Sequence, residues 1–268
     1  MPEVLEVESY RALADRVVGA TVEKAWADTY AAKKLTSPAQ WARTVKGLTI
    51  TGTSRRGKLM LIETDGVRLG MRFGMTGVLL IDGDAGIDGL FYGPHTFRKD
   101  WVRAGMALSD GRQLLLHDPR RLARVEIDPS LDELGPDALS LTKSEFDGIV
   151  TIHRGDGPAI KARLLDQSVV AGVGNLLGDE MLFRAGIDPR TPTGLLDDAQ
   201  KKALFKAFTA TMATLQRRGG SHLGDHMDGR TPSGVCPRDG GAMRSATIGG
   251  RTTYWCSCLL YTSPSPRD

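Results

Sequence analysis

The spacing of hydrophobic residues divides the chain into regions of different predicted structure. Near the N-terminus, apolar side chains recur at helical intervals among charged residues, at Val7, Tyr10, Ala14 and Val17. This spacing predicts an amphipathic helix over residues 3–18. From about residue 47 to 128, short runs rich in Val, Ile, Leu and Thr alternate with turns that contain Gly and Asp. These runs predict a mostly antiparallel β region, with two packed sheets and the first helix against them.

A helical half is predicted after this β region. Residues 129–146 have the composition of a loop, with helix-start signals at Asp132 and Thr142. Two apolar-periodic segments follow and are interrupted by AGVGN (171–175). A long amphipathic segment then runs to the glycine pair at 219–220, which is a common way to end a helix. Together these elements predict an α+β fold.

Composition places the chain among ordinary globular proteins. Its 268 residues are 41% hydrophobic and 25% charged, and this length can hold one large domain or two smaller ones. No apolar run is long enough to span a membrane, and the N-terminus lacks the basic and apolar regions of a secretory signal. A cytoplasmic location is therefore the expectation.

The distribution of basic residues says more than the net charge of +3 and the sequence pI of 8.8. Residues 217–256 contain six arginines against three aspartates. Two further basic clusters are RRGK (55–58) and DPRRLAR (118–124). Any one of these clusters could be a solvated loop. Three basic clusters beside strand-like runs favour one protein surface that contacts the phosphates of a nucleic acid.

Two local features are candidate binding sites. The AGVGN turn can expose consecutive backbone N–H groups and the amide of Asn175, which would suit a phosphate, although a tight helix hairpin explains its glycines equally well. The three cysteines, Cys236, Cys256 and Cys258, all lie late in the chain. This clustering favours a metal site over a disulfide framework.

Six motifs, taken in order, resemble those of the formamidopyrimidine-DNA glycosylase / endonuclease VIII (Fpg/Nei) family of base-excision repair enzymes. They are MPEVLEVE, RRGK, GMTG, DPRR, VVAGVGN and GGRTTYWC, and they run from residue 2 to about 257. The resemblance implies an N-terminal catalytic β-sandwich domain over residues 1–130 and a helical helix–two-turn–helix domain over 131–220. It also implies a zinc-finger-like β-hairpin over 221–257. Double-stranded damaged DNA in a basic cleft between the halves, a monomeric state and no organic cofactor are further implications.

The resemblance gives the second residue a chemical role. With Met1 removed, Pro2 would be a free secondary amine. An ordinary α-amino group has a pKa of about 7.7–8.0, so part of it is unprotonated at neutral pH and could attack C1′ of a damaged nucleotide. The resulting iminium ion links base removal to strand cleavage by β- or β,δ-elimination. Glu3 would protonate the sugar ring oxygen or shuttle protons. Glu6 and Glu180 match acidic positions near the family's site.

Other matched positions imply contacts with DNA. Lys58 would approach the lesion, while Asn175 and Arg251 would hold the flanking phosphates. Arg72 stands where many relatives have histidine, and it can still bind phosphate. Without the resemblance, Lys58 and Arg251 would be interpreted as solvated surface residues.

An extruded base leaves a gap that the family fills with a Met, an Arg and a Phe. Met75 and Arg120 match these positions, but Leu122 replaces the Phe. Leucine is still an apolar wedge, but it stacks less well on the bases. The preferred base opposite the lesion therefore stays open. The segment between Gly220 and Cys236 is shorter than in relatives that act on 8-oxoguanine. The lesion could therefore be 8-oxoguanine, an oxidised pyrimidine or another base.

The metal motif departs from the family's C-x2-C-x16-C-x2-C pattern. Cys236, Asp239 and Cys256 occupy the first three places, whereas Leu259 occupies the fourth and Cys258 comes one residue early. Asp can bind zinc, although structural sites prefer Cys and His. A structural Zn2+ and a metal-free hairpin therefore both remain open.

The last eleven residues, CLLYTSPSPRD (258–268), follow no helical or strand period. They correspond residue for residue to a translated transposon-end sequencing adapter, so a non-native tail is expected, with a disordered Ser/Pro tail as the alternative. Two other functions stay open as well. One is a paralogue that only binds or cuts abasic DNA, and the other is a non-catalytic DNA-binding regulator.

Overall fold

A computed structural model describes residues 1–35, 37–93, 96–152 and 155–257. The chain divides into two compact units, Met1–Leu134 and Gly135–Asp268. Residues 258–268, including Cys258 and Leu259, lie outside the described residues, so the interpretation of this tail stays a prediction. The domain boundaries at 130 and 220 likewise remain predictions. In the described part of the chain, no helix combines the length and apolarity needed to cross a bilayer.

The first unit is built mainly from strands. Its helices are α1 (Val4–Ala14) and α2 (Pro38–Val45). Its strands are β1 (Val22–Ala27), β2 (Ile50–Arg56), β3 (Leu59–Thr64), β4 (Leu69–Arg72), β5 (Val78–Ile81), β6 (Val102–Leu108), β7 (Gln113–His117) and β8 (Arg124–Ile127). They form two antiparallel four-stranded sheets, ordered β1-β6-β7-β5 and β2-β3-β4-β8.

One hydrophobic core joins these sheets. Buried side chains from both sheets and from α1 and α2 belong to a single cluster, which includes Tyr10, Trp41, Met60 and Leu116. Helix α1 packs against β2, β3 and β5 and ends at Ala14, where a 3-10 turn replaces the last predicted helical turn. The prediction of two sheets with the first helix against them is therefore confirmed.

Three elements of this unit lie outside the runs that predicted secondary structure. Strand β1 carries charged residues at its exposed positions, and β6 is rich in Ala and Gly, which have low strand propensity. Helix α2 is short, although Ser37 caps it by accepting a hydrogen bond from Gln40 N and Pro38 occupies its first turn. That Ser-Pro pair was the available signal for α2.

The second unit contains four α-helices and one hairpin among its described residues. They are α3 (Lys143–Val150), α4 (Ile160–Leu165), α5 (Asn175–Ala185), α6 (Asp198–Arg218), β9 (Met243–Ile248) and β10 (Arg251–Cys256). Strands β9 and β10 pair antiparallel across the turn Gly249-Gly250. The helical segments and the C-terminal hairpin agree with the predicted α+β architecture.

The predicted helix boundaries of this unit had different outcomes. Thr142 caps α3 in a capping box with Glu145, and Gly219, at φ +99°, ends α6 in a left-handed conformation. Both predictions are confirmed. The helix start at Asp132 was wrong, because Asp132 and Ser130 bond to each other in a local turn instead.

Candidate active site and metal centre

A pocket of about 160 Å³ in the first unit brings together residues from four separate segments. Its lining residues are Met1, Pro2, Lys58, Arg72, Phe73, Gly74, Leu122 and Arg124. Four residues predicted from the sequence, Pro2, Lys58, Arg72 and Leu122, therefore share one cavity. Met75 and Arg120 lie in the same two loops as Gly74 and Leu122 but are not lining residues.

Pro2 lies immediately before the start of α1. Glu3 is the N-cap residue, and its backbone N–H donates to Glu6 Oε2 over 2.8 Å in a capping box. Both carboxylates are buried, with Glu3 1% and Glu6 2% exposed. The N-terminal end of a helix carries positive partial charge, which disfavours a second positive charge beside it.

The surroundings of the amine at this end of α1 favour its neutral form. Burial lowers the pKa of the Met1 amine, Glu3 and Glu6 oppose that shift, and the nearby charges of Lys58 and Arg120 add to it. An amine in these surroundings is unprotonated, and hence nucleophilic, at lower pH than an exposed one.

Lys58 reaches the pocket because of a tight hairpin. Arg56 pairs with Leu59 at the end of β2 and β3, which leaves Gly57 and Lys58 as a two-residue turn. Gly57 has a φ of +56°, a conformation that glycine adopts without strain. Arg55 fixes the hairpin by donating from Nη1 to Gly57 O over 3.1 Å.

Two arginines line the neighbouring wall. Arg72 and Arg124 are paired residues of β4 and β8. Arg72 Nε donates to Glu126 Oε1 over 3.1 Å, and Glu126 is buried. This bond orients one edge of the Arg72 guanidinium, and two cations on one wall suit an anionic ligand such as phosphate.

In the second unit, Asn175 is the first residue of α5. Gln167 shapes the turn before it, since its Oε1 accepts from Gly172 N over 3.0 Å and its Nε2 donates to Val173 O over 2.9 Å. Gly172 has a φ of +118°. The turn therefore needs a glycine at 172 and is fastened by an amide, which the sequence pattern did not reveal.

A buried polar network connects Asn175 with β10. Lys161 is fully buried, and its Nζ lies 2.5 Å from Asp179 Oδ1 and donates to Asn175 Oδ1 over 2.7 Å and to Thr253 Oγ1 over 2.6 Å. Asn175 Nδ2 donates to Thr252 O over 3.0 Å. Because Thr252 follows Arg251, the network ties the two residues predicted to hold phosphates to one another.

Arg230 completes this network from a fourth segment, besides α4, α5 and β10. Its Nε lies 3.1 Å from Asp179 Oδ2, and its Nη2 donates to Thr252 O over 3.3 Å. The sequence analysis did not identify Lys161, Asp179 or Arg230. A lysine between apolar residues of a short helix was the only signal for Lys161.

Arg251 and Glu180 occupy different environments. Arg251 is exposed and begins β10 directly after the glycine turn. Glu180 is buried, and its carboxylate accepts from Arg184 Nε over 2.6 Å and from His226 N over 2.9 Å. These bonds fasten the segment around His226 to α5.

Three potential metal ligands converge beside the hairpin. One donor atom from each of Cys236, Asp239 and Cys256 lies within 4.8 Å of the others, and neither cysteine forms a disulfide. Cys256 Sγ lies 3.4 Å from Asp239 Oδ2. Zn–S bonds of about 2.3 Å and Zn–O bonds of about 2.0–2.2 Å are compatible with such separations, so this group can bind a metal. The positions considered for a fourth ligand, 258 and 259, lie outside the described residues.

Family comparison extends over both units. The formamidopyrimidine-DNA glycosylase N-terminal domain matches residues 1–125, and the formamidopyrimidine-DNA glycosylase H2TH domain matches residues 134–225. The chain belongs to the formamidopyrimidine-DNA glycosylase family. The family resemblance inferred from the six motifs is thereby confirmed.

Individual relatives match over nearly their full lengths. The formamidopyrimidine-DNA glycosylase of Halorhodospira halophila is 34% identical over 280 residues, covering 96% of this chain and 98% of the relative. That of Thermus thermophilus is 32% identical over 286 residues, covering 96% of this chain and 97% of the relative.

Solved structures of this family are also similar. The Lactococcus lactis Fpg in complex with DNA that contains FAPY-dG has a TM-score of 0.77 and 25% identity, covering 96% of this chain and 99% of that chain. The same enzyme in complex with abasic-site DNA gives 0.77 and 25%, covering 96% and 98%. The formamidopyrimidine-DNA glycosylase H2TH match contains Asn175 and the Lys161–Asp179 pair, which places this network in the family's helical domain.

Proposed function

We propose that this chain is a DNA glycosylase of base-excision repair that removes an oxidised base and then cleaves the abasic strand, with Pro2 as the nucleophile. The observation that carries the proposal is the pocket in which Pro2, Lys58 and Arg72 meet at the N-terminal end of α1. A further Lactococcus lactis complex is described with oxidised-pyrimidine DNA, which supports oxidised bases as the substrate class.

The chemistry follows from a neutral secondary amine. With Met1 removed, the Pro2 nitrogen donates its lone pair to C1′, and the bond to the base breaks with its electron pair leaving on the base. The positively charged nitrogen then passes its proton to the Glu3 carboxylate, which delivers it to the ring oxygen. As the sugar opens, the nitrogen lone pair displaces that oxygen from C1′, which leaves an iminium ion between Pro2 and C1′. Loss of a 2′ proton sends electrons into this iminium and expels the 3′ phosphate. A second elimination would expel the 5′ phosphate.

The surrounding cations stabilise the negative charges of the strand. Lys58 and Arg72 line the nucleophile's pocket, and in the second unit Asn175 and Arg251 would hold the phosphates that flank the extruded nucleotide. Met75, Arg120 and Leu122 would fill the gap left in the duplex. Leu122 is 42% exposed, as an inserted apolar wedge must be before DNA binds.

Cys236, Asp239 and Cys256 would hold a structural Zn2+. Their converging sulfur and oxygen donors suit this ion. The metal would supply no catalytic step. It would fasten the loop of Cys236 to the end of β10, the strand that begins with Arg251.

Borohydride trapping tests the nucleophile directly, since hydride reduces the iminium ion to a stable amine. The protein is mixed with duplexes that contain an abasic site, 8-oxoguanine or thymine glycol, and mass spectrometry first establishes that Met1 is absent. We expect a covalent protein–DNA band on abasic DNA and on at least one lesion.

Two variants control for the proline itself. Pro2→Gly replaces the secondary amine with a primary one and should weaken the band, whereas Pro38→Gly, at the start of α2, should leave it unchanged. A band on abasic DNA alone would favour a paralogue specific for abasic sites. No band from a protein that binds DNA and lacks Met1 would favour the non-catalytic alternative.

A further inference from the structure

One buried carboxylate organises two of the loops that border the Pro2 pocket. Asp118 is 0% exposed. Its Oδ1 accepts from the Thr76 hydroxyl and from Arg120 N, the latter over 3.1 Å. Its Oδ2 accepts from Leu122 N over 2.6 Å and from Ala123 N over 2.7 Å. Asp118 thus joins the GMTG turn (74–77) to the loop that carries Arg120 and Leu122.

The two loops also touch at their backbones. Gly74 has a φ of +58°, and a Cβ atom built on it would lie 2.6 Å from Leu122 Cβ and 2.8 Å from the Leu122 carbonyl carbon. A side chain at 74 would therefore force the loops apart. Gly74 and Leu122 are both lining residues of the pocket that contains Pro2.

Arg121 shows that the second loop is held in an unusual conformation. Its φ is +57°, which is uncommon outside glycine. Arg121 Nη1 donates to the Tyr30 hydroxyl over 3.1 Å, and its guanidinium carbon lies 4.7 Å from the Tyr30 ring centroid. A strained residue persists only where its surroundings fix it, and here Asp118 and Tyr30 provide those contacts.

We propose that Asp118 is a positioning residue that fixes Met75, Arg120 and Leu122 as one rigid unit, and thereby controls base extrusion and the choice of opposite base. This inference rests on the proposed function. Four donors converge on the carboxylate, and an ionised carboxylate offers only acceptors. An asparagine of the same shape would turn its NH2 group toward one of these pairs, so at least one backbone N–H of the loop 120–123 would face a donor and lose its acceptor.

Base extrusion can be measured separately from the later steps at C1′ by the choice of DNA substrate. A paired lesion must be driven out of the stack, whereas an abasic nucleotide has no base to extrude. Asp118→Asn should therefore lower excision of a paired lesion by about 10- to 100-fold, the scale expected for a small misplacement of the inserted side chains. Trapping on abasic DNA should change by less than about threefold.

The test measures extrusion without requiring catalysis. In a Pro2→Gly background, 2-aminopurine next to the lesion reports the opening of the duplex, with and without Asp118→Asn. Thr76→Val removes one donor to Asp118 and retains the side-chain volume. Asp100→Asn is the matched control, because Asp100 is an exposed aspartate that pairs with Arg98. Thermal unfolding compares the folded fractions of all variants.

We expect Asp118→Asn, and to a smaller extent Thr76→Val, to reduce the rise in 2-aminopurine fluorescence. The same variants should bring the rate of excision opposite cytosine closer to the rate opposite adenine. Asp100→Asn should match the parent protein. Unchanged fluorescence and an unchanged opposite-base ratio would overturn the proposal. An equal loss of excision and of abasic trapping would also overturn it, in favour of a general structural role. Failure of the proposed function would give a different result from failure of this proposal. In that case the parent protein would form no covalent band with abasic DNA, and the fluorescence of the variants could still be compared.

Discussion

Replacing Lys161 with methionine should destabilise the second unit far more than the same substitution at a surface lysine. Lys161 and Asp179 have fully buried side chains and form an ion pair at 2.5 Å. Lys143 and Asp147 also form an ion pair, but their side chains are 48% and 47% exposed. Lys143→Met is therefore a matched control in the same unit.

The expected magnitude follows from the partners that would be lost. Breaking a buried ion pair by removing one partner costs about 3–5 kcal/mol, because a charge remains desolvated. Arg230 would still pair with Asp179, which favours the lower end of that range. Asn175 Oδ1 and Thr253 Oγ1 would each lose the hydrogen bond that Lys161 Nζ donates, and these losses are part of the same range. We expect a loss of about 3 kcal/mol for Lys161→Met and about 0.3–0.5 kcal/mol for Lys143→Met.

Urea unfolding followed by far-UV circular dichroism measures this difference. For a slope of about 2–3 kcal/mol per molar, Lys161→Met should lower the midpoint by about 1–1.5 M and Lys143→Met by less than about 0.3 M. In the Lys161→Met background, Asp179→Asn should cost less than it does alone, because the two residues are coupled. Equal midpoint shifts for the two lysine variants would refute the interpretation of this network as a buried electrostatic anchor.

Three further predictions concern pH and metal. Burial lowers the pKa of His226 from 6.5 to about 4, so the stability contributed by its neutral form is present above pH 6.5 and is lost as the pH falls toward 4. Chemical denaturation should show this loss as about 3 kcal/mol, absent in His226→Phe and retained in His222→Phe. We expect the charges that act on the Met1 amine to act on the Pro2 amine as well. Glu6 raises the pKa of the Met1 amine. Glu6→Gln should therefore lower the pKa of the Pro2 amine and move the acid limb of the pH profile of borohydride trapping to lower pH. Glu8→Gln should not, because Glu8 pairs with Arg55. Elemental analysis should find one zinc per chain, lost in Cys236→Ser or with chelator, with weaker DNA binding as a result; a metal-free parent protein would contradict the zinc assignment.

Local signals predicted the elements whose ends are determined within a few residues. The capping box at Thr142 and the left-handed Gly219 are both decided by bonds to residues three or four positions away. The helical period of the first segment likewise required no knowledge of the rest of the fold. In the same way, the two-residue hairpin turn at Lys58 is part of a contiguous motif.

Signals of this kind failed where distant partners decide the structure. Strand β1 is stabilised by pairing with β6, about eighty positions later in the chain, although its own sequence has weak strand character. At Asp132, a competing bond with Ser130 prevailed over a helix-start signal. Neither outcome follows from periodicity within a short window.

By itself, the sequence determined the family, the α+β fold class and the candidates Pro2, Lys58 and Arg251, because contiguous motifs carry that information. Only the tertiary structure decided that Asp118 supports the GMTG turn and that Lys161 connects Asn175 with β10. The bond from Thr76 to Asp118 spans 42 positions, and that from Lys161 to Thr253 spans 92. Such buried polar contacts exist only after the hydrophobic core has brought distant segments together and excluded water from them, so no local pattern encodes them.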